Sequence, residues 1–126
     1  MKTESEVQQL IRAECSKHQI VTFRNNVGAG TLSNGSFIRW GLANESVQQN
    51  HLYKSADLIG IKPIIITADM IGQTIGQFVS IECKKEGWLF KEKNVDITAQ
   101  QNWLRMVQDH GGLAIFSTGE LSEILK

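Results

Sequence analysis

Near the start of the chain, Val7, Leu10, Ile11 and then Glu14/Cys15 recur at three- to four-residue spacing. That spacing predicts an amphipathic helix over residues 3–17. Thr3 and Glu6 form a T-x-x-E capping box at its start. "IVTFRNN" (20–26) then reads as a strand, and "VGAGTLSNGS" supplies the Gly and Asn that a loop requires. "FIRWGL" (37–42) predicts a second short strand. Beyond the polar stretch "ANESVQQNHLYKS", the segments "DLIGI" (57–61) and "PIIITADM" (63–70) read as consecutive strands bent at Lys62-Pro63. "GQTIG" (72–76) turns the chain into a strand over 77–85.

A second helix is marked by another capping box, Thr98 with Gln101, and by the apolar stripe Trp103, Leu104 and Val107. Gly111 after His110 is its terminator. "LAIFST" (113–118) predicts a final strand and "ELSEILK" (120–126) a short closing helix. The expected whole is one mixed α/β domain over residues 1–126, its sheet flanked by helices.

Composition narrows the class. A chain of 126 residues with 41% hydrophobic residues suits a single core. Thirteen Lys+Arg balance thirteen Asp+Glu, so nucleic-acid contact would have to come from local clustering of charge. The longest apolar run, "PIIITA", is too short to span a bilayer, and the acidic, amphipathic N-terminus is unlike a signal peptide. Cys15 and Cys83 read as free thiols of a reducing compartment, which makes the cytoplasm the expected location, with no membrane partner. His18, His51 and His110 are scattered and there is no CxxC or HExxH, so zinc spacing is absent.

The candidate chemistry lies at strand ends. Alternation puts Ser80, Glu82 and Lys84 on one face, with Val79, Ile81 and Cys83 on the other, expected to be the core face. Asp57 stands at the edge of "DLIGI". Pairing of the two segments would make Asp57 and Glu82 converge, and converging carboxylates repel unless a cation separates them. Oxygen ligands select Mg²⁺ or Mn²⁺, with the Cys83 backbone carbonyl as a further donor. Such a metal acidifies a bound water and neutralises a phosphodiester, while Lys84 positions that water or stabilises the transition state. The alternative is a solvated Glu82–Lys84 pair, since D…ExK arises by chance in many domains.

Other residues carry double readings. Gln100 shares the inward stripe of Trp103 and Leu104, where a glutamine needs a hydrogen-bonding partner, or it stands half-exposed in the first turn. Glu6 completes its cap, or approaches a second metal. Arg24, Arg39 and Lys54, among Phe37, Trp40 and Tyr53, join Lys85, Lys91 and Lys93 in a phosphate-gripping rim. Taken singly, they are core aromatics and solvated cations.

In this order, "RNNVGAG", "FIRWGL", "SADLIGI", "SIECKK" and "TAQQNWL…GG" resemble the VRR-NUC (virus-type replication-repair nuclease) domain of the PD-(D/E)XK nuclease superfamily. The resemblance covers nearly the whole chain. It implies a restriction-endonuclease-like core, a central mixed β-sheet flanked by α-helices. It also implies Asp57 and Glu82 as metal ligands with the Cys83 carbonyl as a third, Lys84 as the catalytic lysine, and Gln100 as the glutamine beside that lysine and the substrate phosphate. Glu6 matches a first-helix acid that contributes to metal binding. Arg24, Asn25 and Gly28 fall in a basic, Gly-containing substrate loop, and Arg39, Lys54 and Lys85 are further expected DNA contacts. Ala56 stands where the family usually has Pro or Ser.

The implied activity is that of a Mg²⁺- or Mn²⁺-dependent DNA endonuclease of the stand-alone bacterial or phage type. It would act as a homodimer on branched DNA such as four-way junctions, two symmetric nicks needing a two-fold pair of sites. A "MIGQTIGQF" hairpin is a candidate interface. The competing expectations are a DNA-binding or partner-docking module that keeps the fold without turnover, and an enzyme acting on RNA or single-stranded DNA.

Overall fold

In the computed structural model, which describes residues 1–125, the N-terminal capping box forms as expected. The Thr3 hydroxyl accepts from the Glu6 backbone N–H at 3.2 Å, and the Glu6 carboxylate accepts from the Thr3 N–H at 2.9 Å. This starts α1 (Glu4–Lys17). Arg12 ties α1 to β1 (Val21–Arg24), donating to the Thr22 hydroxyl at 3.3 Å and to its carbonyl at 3.1 Å. The chain forms two compact units, Met1–Gly60 and Ile61–Lys126.

In the first unit the expected loop over 27–36 contains a strand, β2 (Gly28–Thr31), antiparallel to β3 (Phe37–Trp40). The glycines that suggest a loop instead make room for an aromatic ring. A Cβ on Gly28 would lie 2.4 Å from Cζ2 of Trp40, its partner in the register. The hairpin turns at Asn34-Gly35, where Gly35 has φ 88 and the Asn34 side chain accepts from the Ser36 N–H at 2.9 Å. Asn44, buried at 4% exposure, holds the far end. Its amide donates to the carbonyls of Gly28 (2.7 Å) and Trp40 (3.0 Å), and its oxygen accepts from Arg39 at 3.2 Å.

The polar stretch before Asp57 hides a short helix, α2 (Val47–Leu52), capped by Ser46, whose hydroxyl accepts from the Gln49 N–H at 3.0 Å. Its Val47 and Leu52 are both exposed, so no apolar periodicity announces it. β4 (Leu58–Ile61), expected as a strand, forms a two-stranded sheet with β1.

In the second unit the strand expected over 63–70 is not formed. The chain runs without a ladder into a 3₁₀ turn at Ala68–Met70, with Ile65 87% exposed. Pro63 has no N–H to contribute, and among the described residues no strand pairs with this segment to complete a ladder. The "MIGQTIGQF" hairpin is likewise absent.

β5 (Val79–Cys83) and β6 (Leu113–Ser117) pair in parallel, Val79 opposite Leu113 and Glu82 opposite Phe116. α3 (Val95–Asp109) supplies the crossover that parallel strands require. Leu104, fully buried Val107 and Ala114 form the core between helix and strands. α3 begins earlier than expected: Asn94 is the N-cap, accepting from the Ile97 N–H at 3.0 Å. Thr98 lies inside the helix, its hydroxyl donating to the carbonyls of Glu92 and Asn94. Gly111, at φ 90, follows the helix end as expected. The closing helix expected over 120–126 is only a turn at residues 122–124, and Lys126 lies outside the described residues.

The mixed α/β class therefore stands. Among the described residues the strands form three two-stranded sheets instead of one central sheet. No described helix is long and apolar enough to cross a membrane.

Candidate active site

The strand β5 does place Ser80 and Glu82 on one face, with Lys84 continuing it, but the packing of the two faces is the reverse of expectation. Ser80, Glu82 and Lys84 are half-buried, whereas Val79, Ile81 and Cys83 are exposed. The reason lies in α3, which turns polar groups toward the strand. The Trp103 indole N–H donates to the Ser80 hydroxyl at 2.8 Å, and the Gln100 amide donates to Glu82 Oε1 at 2.8 Å. A polar strand face with such partners can be covered without leaving unsatisfied groups.

Lys84 is the most enclosed of the charged residues here, its side chain 15% exposed. Its backbone N–H donates to the Ser117 carbonyl at 2.8 Å, which extends the β5–β6 ladder by one residue and sets the side-chain direction. Its ammonium donates to Gln100 Oε1 at 2.8 Å and lies 3.6 Å from Glu82 Oε1. The rings of Trp88 (5.5 Å) and Phe116 (5.9 Å) complete its surroundings. Those rings are packed together, with centroids 5.0 Å apart. Gln100 thus bridges cation and carboxylate: its oxygen faces the lysine and its nitrogen faces the acid. A partly desolvated lysine needs such compensation.

Gln100 is therefore inward, as its helical position suggests. The aromatic partners of Lys84 escape a reading of the motif, because Trp88 and Phe116 come from a loop and from the paired strand. The tryptophan of "EGWLF" is the only local signal.

Glu82 suits a hydrated hard cation better than a closed cage. Its side chain is 39% exposed, and both the Gln100 and Lys84 contacts fall on Oε1, so Oε2 takes part in neither. Mg²⁺ commonly takes one or two carboxylates and keeps several waters. Among the described residues no group of three or more His, Cys, Asp or Glu side chains gathers as a metal site. Cys83 closes β5 opposite Ser117, its thiol free.

In the first unit, Asp57 is exposed immediately before β4. Its backbone carbonyl accepts from the Asn25 N–H at 2.8 Å. The Asn25 side chain is engaged by the protein itself: it donates to the Ser55 hydroxyl (2.8 Å) and the Ala56 carbonyl (2.9 Å), and accepts from the Leu42 N–H (3.2 Å). Asn25 thus shapes the turn that presents Asp57. Arg39 is also committed, to Asn44 and to the Phe37 ring at 5.3 Å. The Lys54 ammonium bonds the Asn50 side chain, and the Glu6 carboxylate is held in its cap. Arg24 and Lys85 are exposed. The structure brings together Glu82, Lys84 and Gln100; Asp57, Glu6, Arg24, Asn25, Arg39 and Lys54 belong to the other compact unit.

Comparison of the chain with protein-family models, with curated proteins and with solved structures gives no match.

Proposed function

We propose that this protein is a metal-dependent endonuclease of the PD-(D/E)XK type, hydrolysing phosphodiester bonds in DNA. The observation that carries the reading is the Glu82–Gln100–Lys84 bridge. It keeps a cation enclosed beside a partly exposed carboxylate whose second oxygen takes part in neither contact.

In this reading Glu82 and the Cys83 carbonyl hold a Mg²⁺ or Mn²⁺ ion, and Asp57 as a further ligand rests on the VRR-NUC resemblance alone. When bound, the ion supplies charge neutralisation and an acidified water. Lys84 orients the attacking water by hydrogen bonding and offsets negative charge developing on the phosphoryl oxygens. Gln100 fixes the lysine's direction through its oxygen and the carboxylate's through its nitrogen. Arg24 and Lys85, both exposed, contribute phosphate contacts. Asn25 and Arg39 act by shaping their loops, and Glu6 by capping α1. Preference for branched DNA and action as a homodimer belong to the same proposal and rest on the VRR-NUC resemblance.

The test is cleavage of labelled four-way junction, flap and linear duplex DNA with Mg²⁺, Mn²⁺ or EDTA, beside Lys84→Ala. Metal-dependent cutting that falls by a factor on the order of 10²–10⁴ in Lys84→Ala, with DNA binding retained, supports the reading. Full activity in the variant, or cutting in EDTA, overturns it.

A second reading has its own support. Glu82 and Gln100 together satisfy Lys84, as they would in a purely structural ion pair within a non-catalytic DNA-binding or docking module. Calorimetry that detects no Mg²⁺ or Mn²⁺ binding favours that module.

A further inference from the structure

Beside the Lys84 cluster, in the same unit, lies a cavity of about 370 Å³ walled by the loop after β5 and the first turn of α3. Its lining includes Lys85, Trp88, Leu89, Lys91 and Ile97. The neighbouring carboxylates Glu86 and Glu92 do not line it. The ion pairs of Lys17 and Lys84 lie elsewhere, to Glu14 and Glu82. The Asn94 side chain, also in the lining, is occupied in capping the Ile97 N–H, which leaves the lysines as the cavity's cationic groups.

The cavity therefore joins two kinds of wall. One is aromatic and aliphatic, from Trp88, Leu89 and Ile97; the other is cationic, from Lys85 and Lys91. A planar base stacks on an indole whatever its identity, and a phosphate is attracted by lysines. The volume falls within the range of small-ligand sites. Trp88, one of the lining residues, also has its ring centroid 5.5 Å from the Lys84 ammonium, so the cavity and the candidate catalytic lysine share this residue.

We propose that this cavity holds one unpaired nucleotide of a nucleic-acid strand, its base against Trp88 and its phosphate against Lys85 and Lys91. A base seated there has left its own stack, so the favoured substrate has a frayed, flipped or single-stranded nucleotide beside the scissile bond. Only that last placement rests on the nuclease reading; the nucleotide site itself does not.

The test uses the ¹⁵N-labelled wild-type chain in EDTA, which prevents cutting, with the Trp88 indole resonance assigned through Trp88→Phe. A single-stranded thymidine oligonucleotide, a fully paired duplex of equal length, a free 5′-nucleoside monophosphate and inorganic phosphate are each titrated. The expected result is a saturable shift of that resonance, tightest for the single strand. Lys85→Ala/Lys91→Ala, shown folded by its melting curve, weakens that binding at least tenfold. Equal affinity for the duplex, a free mononucleotide as tight as the strand, an equal effect of phosphate alone, or no shift overturns the proposal. A chain that cuts DNA but shows no shift loses this site and keeps the nuclease reading. One that shows the shift but cuts nothing keeps the site and loses the nuclease.

Discussion

Replacing Gln100 by leucine asks what keeps a lysine enclosed at 15% exposure. The substitution removes two hydrogen bonds of 2.8 Å, one to the Lys84 ammonium and one to Glu82 Oε1. Hydrogen bonds to charged groups contribute about 1.5–3 kcal/mol each. The two are not equivalent here. Glu82 is 39% exposed, so water replaces most of what it loses. Lys84 is shielded and keeps only its 3.6 Å approach to Glu82 and the two ring faces. The expected loss is therefore about 2 kcal/mol, close to one bond and well short of two.

With an unfolding entropy of about 2.1 cal/mol/K per residue, a chain this long has about 0.26 kcal/mol/K in total, and Tm should fall by about 8 °C. Calorimetry or a circular-dichroism melt measures it. Lys84→Met provides the partner for a double-mutant cycle, in which the two substitutions should couple by about 1–2 kcal/mol. A Tm drop below about 2 °C, or strict additivity in the cycle, would refute the claim that Gln100 sustains the enclosed lysine.

Other outcomes follow from the same geometry. Asn44→Ala leaves two carbonyls and an arginine N–H without their partner in a buried place, and should cost about 2–3 kcal/mol in urea unfolding; a loss under about 0.5 kcal/mol contradicts this. Gly28→Ala drives a methyl into the Trp40 ring and should destabilise by about 1–3 kcal/mol, whereas Gly30→Ala, whose Cβ would meet that ring at 3.7 Å, should cost less. Equal effects would dismiss the ring contact. The Ser122 side chain and backbone hold the Glu120 carboxyl below its ordinary 4.5. The folded chain then binds that proton less readily than the unfolded chain. The contribution is present above the unfolded value and lost as pH falls through the folded one. In Ser122→Ala the Glu120 titration, followed by NMR, should move upward; an unchanged curve excludes the hydroxyl as the cause.

Local signals proved readable where the partners lie within a turn of one another. Thr3 and Glu6 close their cap from three residues apart, and Gly111 ends α3 with a positive φ that few other residues adopt cheaply. Local chemistry misled where two starts competed. Thr98 with Gln101 has the same capping pattern, yet Asn94 takes the role, and Thr98, already inside the helix, bonds back to the carbonyls of Glu92 and of that cap. The Gly-rich β2 was hidden because its stability comes from the Trp40 ring and the Asn44 amide, both distant in sequence. The isoleucines at 64–66 have strand character, but a strand exists only with a neighbour to bond, and among the described residues none pairs with them.

The same division runs through the candidate site. Period-two alternation groups Ser80, Glu82 and Lys84, and helical spacing aligns Gln100 with Trp103, whatever the rest of the chain does. Which face of β5 becomes covered depends on what α3 brings over it. The indole and amide of that helix made the polar face the enclosed one and left Val79 and Ile81 exposed. Backbone geometry sets which residues point the same way; contact between distant segments sets what they meet.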